Sequence, residues 1–230
     1  MKNKSTLCIL AGLTAVLLFV TSCSKDDDHL PIREGIQRSE LILTEVSGES
    51  VEAHGDHFHG LDDGVEGESI SIQFDENGKV ASGGHLHLEA DAVYKIALKA
   101  WDYAGEEVQN NFIATKSTAD GYKAFLVGGD FILNTATDDE SGAIFQPREK
   151  DYADGSEVGG ALETTGVLSY FTVGHSNEGS TKEVSFVMRK LNAGEKAKVT
   201  RSDWQNETKF AGENILKLSF EIHAEEGHHH

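Results

Sequence analysis

Ser69-Ile70-Ser71-Ile72-Gln73-Phe74, followed by Asp75-Glu76-Asn77-Gly78 and then Lys79-Val80-Ala81, decides the fold class of this chain. Apolar and polar residues alternate over the first six positions. A period of two places Ile70, Ile72 and Phe74 on one face of an extended strand. Asn-Gly readily takes positive φ, so Asn77-Gly78 turns the chain back along Lys79-Val80-Ala81.

The pattern recurs on both sides of this hairpin. Leu41-Ile42-Leu43 opens a strand upstream, and further runs fall at 85–89, 93–101, 122–127, 131–134, 167–173, 184–191 and 215–223. Segments rich in Gly, Asp and Asn separate them, as turns require. No sustained 3.6-residue pattern occurs, which argues against a helical fold and leaves room for a short helical turn near 201–205. The expected fold is an all-β antiparallel sandwich, as one elaborated domain over 39–225 or as two stacked domains divided near 114–121. The acidic, glycine-bearing stretch 146–160 reads as mobile surface.

Leu88, then Tyr94-Lys95-Ile96-Ala97-Leu98-Lys99-Ala100 and Trp101-Asp102-Tyr103-Ala104-Gly105, resembles one edge of an immunoglobulin-like or fibronectin-type-III-like sandwich over residues 86–108. The resemblance implies that a tyrosine near the start of a strand closes a corner by hydrogen-bonding nearby backbone.

The first residues read as an address. Lys2 and Lys4 precede an apolar run over 7–20 that is about right for a secretory signal and too short for a confident membrane span. It ends at Val20-Thr21-Ser22-Cys23, which resembles a bacterial lipobox and implies cleavage after residue 22 and lipid on Cys23. Ser24-Lys25-Asp26-Asp27-Asp28 follows, similar to the export signal of surface lipoproteins in Bacteroidota-type bacteria. The resemblance implies an outer-membrane anchor, a surface or periplasmic location, and an acidic tether over 23–38. Cys8 would leave with the signal, so no thiol chemistry is expected of the folded part.

Composition narrows the partners. Against 39 Asp+Glu stand only 20 Lys+Arg, a formal charge of -19, so a nucleic-acid backbone would be repelled. Imidazole is the conspicuous resource. Of 11 histidines, His54, His57 and His59 fall in one heptapeptide, His85 and His87 in another, and His228-His229-His230 form a His-rich tail over 226–230. Neutral imidazole suits zinc, copper(II) or nickel. On a strand, residues i and i+2 share a face, so His57 with His59 and His85 with His87 can each act as a pair. Two such pairs offer four nitrogens to one tetrahedral zinc at about 2.0–2.1 Å. By the same alternation Leu86 and Leu88 turn inward, as do Leu216, Leu218, Phe220 and Ile222, leaving Glu221 and His223 outward. His223 joins the candidate ligands where it lies beside His87, whereas His29 and His175 read as solvated.

The segment 51–68 is a flexible-looking mixture of acidic residues, glycines and His54, His57 and His59. It resembles the histidine-rich loops of zinc-uptake binding proteins, and an acidic field there would concentrate divalent cations. No H-E-x-x-H, G-x-S-x-G or G-x-x-x-x-G-K-[ST] motif occurs, so no enzyme is expected. Asp138-Asp139-Glu140, and Asp151 with Asp154, lack EF-hand spacing and read as solvated loops.

The expected function is therefore a lipid-anchored protein that binds a transition metal, zinc foremost, for buffering or for delivery to an outer-membrane importer. Binding should weaken below roughly pH 6, since a protonated ring cannot ligate. The alternatives are an immunoglobulin-like adhesion module whose histidines are incidental, and a haem-binding lipoprotein using a histidine pair.

Overall fold

Gly78 sits in the turn where the sequence puts one. Its amide donates to the Asp75 carbonyl at 3.0 Å, and Asp75 Oδ1 accepts from the amides of Asn77 and Lys79, each at 2.9 Å. Its φ of +70° favours glycine, and an added Cβ would meet the Lys217 carbonyl oxygen at 1.8 Å. The turn therefore packs directly on the strand that carries His223.

The computed structural model describes residues 33–227, so the signal, Cys23, His29 and the terminal histidines lie outside it. Its strands, in chain order, are β1 (Ile36–Ser47), β2 (Glu52–His54), β3 (His57–His59), β4 (Val65–Phe74), β5 (Val80–Ser82) and β6 (His85–Glu89). They continue as β7 (Val93–Asp102), β8 (Tyr122–Gly128), β9 (Ile144–Pro147), β10 (Leu168–Thr172), β11 (Thr181–Leu191) and β12 (Gly212–Glu225). One sheet has the order β5-β4-β1-β7-β10-β9, a second has β6-β12-β11-β8, and β2 with β3 makes a separate hairpin. β1 begins at Ile36, so the strand takes in the last residues expected of the tether.

The larger sheets face each other as an all-β sandwich. Leu41, Leu43, Ile72, Phe74 and Leu98 from one meet Leu88, Leu126, Phe186, Met188 and Leu218 from the other in a continuous core. Aromatic edges cross the interface, with Phe74 and Phe220 centroids 6.2 Å apart and Phe145 and Phe186 6.4 Å apart. Strands on both sides of 114–121 feed this core, so that segment is a connection within one compact unit. It holds the short helix Lys116–Ala119, whose first turn is capped by the Thr115 side chain. Tyr94, at the start of β7, accepts a hydrogen bond from the Glu89 amide at 3.0 Å, the backbone contact expected of a corner tyrosine.

Several local expectations are corrected. The 131–134 run is not a strand: Leu133 makes a single bridge to Ala143, and a 3-10 turn starts at Asn134. The Asn134 side chain accepts from the Gly142 amide and donates to the Gly55 carbonyl, contacts that compete with a ladder. Nor is 146–160 simply mobile surface. Gln146 and Pro147 belong to β9, while Glu149 and Tyr152 are buried. Glu149 accepts from the amides of Thr165, Gly166, Val167 and Leu168, which anchors the entry to β10. The turn over Arg201–Gln205 is helical as expected, and it delivers Trp204 against Phe131, Phe145 and Phe171.

One pairing departs from an antiparallel plan. β6 joins the edge of β12 in parallel, with His85 opposite Glu221, His87 opposite His223 and Glu89 opposite Glu225.

Candidate metal centre

In-register neighbours on a parallel pair point to the same side, so β6 and β12 build one outward face from two columns. Leu86, Leu88, Ile222 and Ala224 are the alternate positions and are buried. Their burial fixes the phase of both strands and commits His85, His87, Glu221, His223 and Glu225 to the open side. β11 adds Thr181 opposite His223 and Glu183 opposite Glu221.

Glu221 Oε1 is the hub. It lies 2.6 Å from His223 Nε2 and 3.3 Å from His85 Nδ1. One ligand atom from each of His85, Glu221 and His223 lies within 4.8 Å of the other two, the grouping a metal ion requires. Ligands on a tetrahedral zinc stand about 3.3 Å apart, given bonds of about 2.0–2.1 Å, a separation within the span of this cluster. His87 adjoins the group, its ring stacked on His223 with centroids 4.9 Å apart and planes 17° apart. Its Nδ1 donates to Glu225 Oε1 at 2.6 Å.

His223 also has an outer partner. Its Nδ1 is 3.0 Å from Thr181 Oγ1. With the ring proton on Nε2, Nδ1 can accept from the Thr181 hydroxyl. An ion held by Nε2 would require the proton on Nδ1, where the same hydroxyl can accept it. A hydroxyl serves both states, and such partners orient ligating histidines.

The side chains of Glu221 and His223 are 29% and 32% exposed, against 75% for His85. Glu221 and His223 are thus partly buried in the sheet face, while His85 is exposed on the edge strand. Carboxylates of Glu183, Glu221 and Glu225 surround the group and favour a cation over an anion.

His54, His57 and His59 lie elsewhere, on the β2–β3 hairpin, and the segment expected to be a flexible loop is ordered. Gly55 (φ +55°) takes the first place of its two-residue turn, as a glycine-led hairpin requires. Phe58 is buried with Leu61, Val93 and Ile144, and its amide donates to Gln146 Oε1 at 2.9 Å.

The single four-histidine centre built from His57, His59, His85 and His87 is not formed. His85 and His87 meet His223 and Glu221 instead, and among the described residues no ring contact joins them to the hairpin set. Alternation reveals which face a residue takes but not which strands adjoin. Glu221, Glu225 and Thr181 were missed as site residues for that reason, although Glu221-Ile222-His223 already puts Glu221 beside His223. His175 is not merely solvated either, since its Nδ1 meets Glu178 Oε2 at 2.6 Å.

No family model matches the chain, and no curated protein or solved structure is significantly similar to it.

Proposed function

We propose that this protein binds a divalent transition metal, zinc foremost, on the β6–β12 face, as a lipid-anchored outer-membrane protein that buffers the ion or passes it to an importer. The in-register parallel pair that sets His85 beside Glu221 and His87 beside His223 carries this reading. Two imidazoles and a carboxylate form a borderline donor set suited to zinc, copper(II) or nickel. Its exposure leaves coordination positions open, which suits an exchangeable ion better than a permanent structural one. The Val20-Thr21-Ser22-Cys23 sequence supports the anchor, and Lys25 with the following aspartates supports surface display.

Haem is the weaker alternative. Axial histidines approach iron from opposite sides of the macrocycle, whereas His87 and His223 lie side by side on one sheet face.

Zinc titration by calorimetry tests the proposal, with H228A/H229A/H230A as the parent to silence the tail. The parent should bind zinc with micromolar or tighter affinity, and H85A/H223A should lose one equivalent. Equal uptake by both proteins would remove the sheet site. An adhesion role would then be the better reading, with partner binding indifferent to the metal.

A further inference from the structure

We propose a second, independent metal site on the β2–β3 hairpin, in which His54, His57 and His59 take a divalent transition cation of their own. This inference stands on the hairpin alone and does not need the sheet site. His54 pairs with His57 and Glu52 with His59 across the two strands. Antiparallel partners share a face, so these four residues form a compact grid opposite the buried Phe58.

Ring spacing is the main observation. The centroids are 6.0 Å apart for His54 and His57, 5.5 Å for His54 and His59, and 4.6 Å for His57 and His59. Three imidazoles on one tetrahedral zinc, with Zn–N bonds of about 2.0–2.1 Å, hold their centroids roughly 5 Å apart. The rings therefore already stand at ligand separation. Their nitrogens do not yet converge to within 4.8 Å as a set of three, so the ion would turn the rings in place. His54 and His59 are exposed and free of core packing, which keeps that rotation cheap.

The outer contacts of two rings favour ligation through the far nitrogen. His54 Nδ1 donates to Glu140 Oε2 at 2.9 Å, and His57 Nδ1 donates to Asp56 Oδ1 at 3.0 Å. A carboxylate holding Nδ1–H fixes the tautomer, leaves the Nε2 lone pair for a metal and makes the ring a stronger donor. Asp56 is itself held by Arg201 Nη1 at 3.1 Å, while Glu140 Oε1 also accepts from the Gly55 amide at 3.3 Å. Asn134 and Gln146 bind the hairpin backbone as well. Contacts from three other segments thus hold a two-strand element that would be marginal alone. Glu52, opposite His59, is placed to supply a fourth ligand.

Equilibrium dialysis of the full chain against zinc separates the two sites, again in the H228A/H229A/H230A background. The parent should hold two ions, H57A/H59A one, H85A/H223A one, and the combined variant none. D56N should keep the hairpin ion but weaken it about 10–100-fold, as loss of an outer partner does. Unchanged stoichiometry in H57A/H59A, with an unfolding midpoint like the parent's, overturns the hairpin site. Unchanged stoichiometry in H85A/H223A alone overturns the sheet site and leaves the hairpin standing. Should H57A/H59A unfold, H54Q/H59Q distinguishes the same two outcomes, because it alters only exposed rings.

Discussion

His87 and His223 face each other directly across the parallel β6–β12 pair, and their rings stack 4.9 Å apart. The ring of His223 also lies 6.0 Å from that of His85, so it is the one imidazole common to both contacts. H223A should therefore weaken zinc at the sheet face by more than the roughly 10–100-fold that loss of an outer partner costs. H87A, which removes a ring beside the triad, should cost less than H85A. Competition with a zinc-binding dye, run on the three variants together, gives the ranking. A larger loss in H87A than in H223A would place the ion on the Glu225 side instead.

Thr181 touches no ion in this scheme, yet its hydroxyl meets His223 Nδ1 at 3.0 Å and holds the ring in place whichever way that bond runs. T181V keeps the shape and removes the hydroxyl, so zinc affinity should fall about 10–100-fold with stoichiometry unchanged. T181S should restore most of it. Equal affinities for all three proteins would show that Thr181 does not orient the ligand.

Glu149 bears on stability rather than on metal. Its buried carboxylate accepts from successive backbone amides at Thr165 to Leu168. E149A strands those donors and should destabilise the fold by roughly 3–5 kcal/mol in urea unfolding, the range for removing one partner of a buried charged network. E149Q retains an acceptor and should cost less.

The sandwich was legible because burial enforces alternation. Leu86 with Leu88, and Leu216, Leu218, Phe220 with Ile222, are buried in the phase their spacing dictates. Asn77-Gly78 announces its turn through the one residue type that tolerates the backbone there. The site was legible only in halves. His85 and Glu221 are 136 residues apart and meet because two edges pair in parallel, which a period-two pattern does not encode. Likewise, the composition of 51–68 suggests a flexible loop. What orders it is an apolar anchor centred on Phe58 and Leu61, with side chains from Asn134, Glu140, Gln146 and Arg201.

That anchor can be tested. Phe58 is fully buried in a cluster separate from the main core. F58A should cost about 3–5 kcal/mol and loosen the hairpin. Zinc at the hairpin should be lost while zinc at the β6–β12 face persists, as read by dialysis below the unfolding transition. Loss of both ions in a folded F58A protein would mean that the two faces are coupled.

Stability should also respond to pH through a buried lysine outside both sites. Lys123 is buried, with its Nζ donating to the Thr164 carbonyl at 2.7 Å and to Thr164 Oγ1 at 3.1 Å. Burial, reinforced by repulsion from Lys196, pushes its ammonium down to about 7, while Glu149 pulls the other way. The unfolded chain holds this proton up to about 10.5, so between about 7 and 10.5 it binds more protons than the folded chain. Stability from this group therefore rises with pH across that window, and the cost of burying the charge is complete below it. K123M removes the charge along with the bonds to Thr164, and should gain about 1–2 kcal/mol at pH 6 to 7. Its advantage should shrink steadily and reverse toward pH 10, where the folded parent amine is already neutral and keeps its bonds to Thr164. Urea unfolding of both proteins from pH 6 to 10 measures the difference, and a gap constant with pH would mean that Lys123 stays protonated in the folded protein.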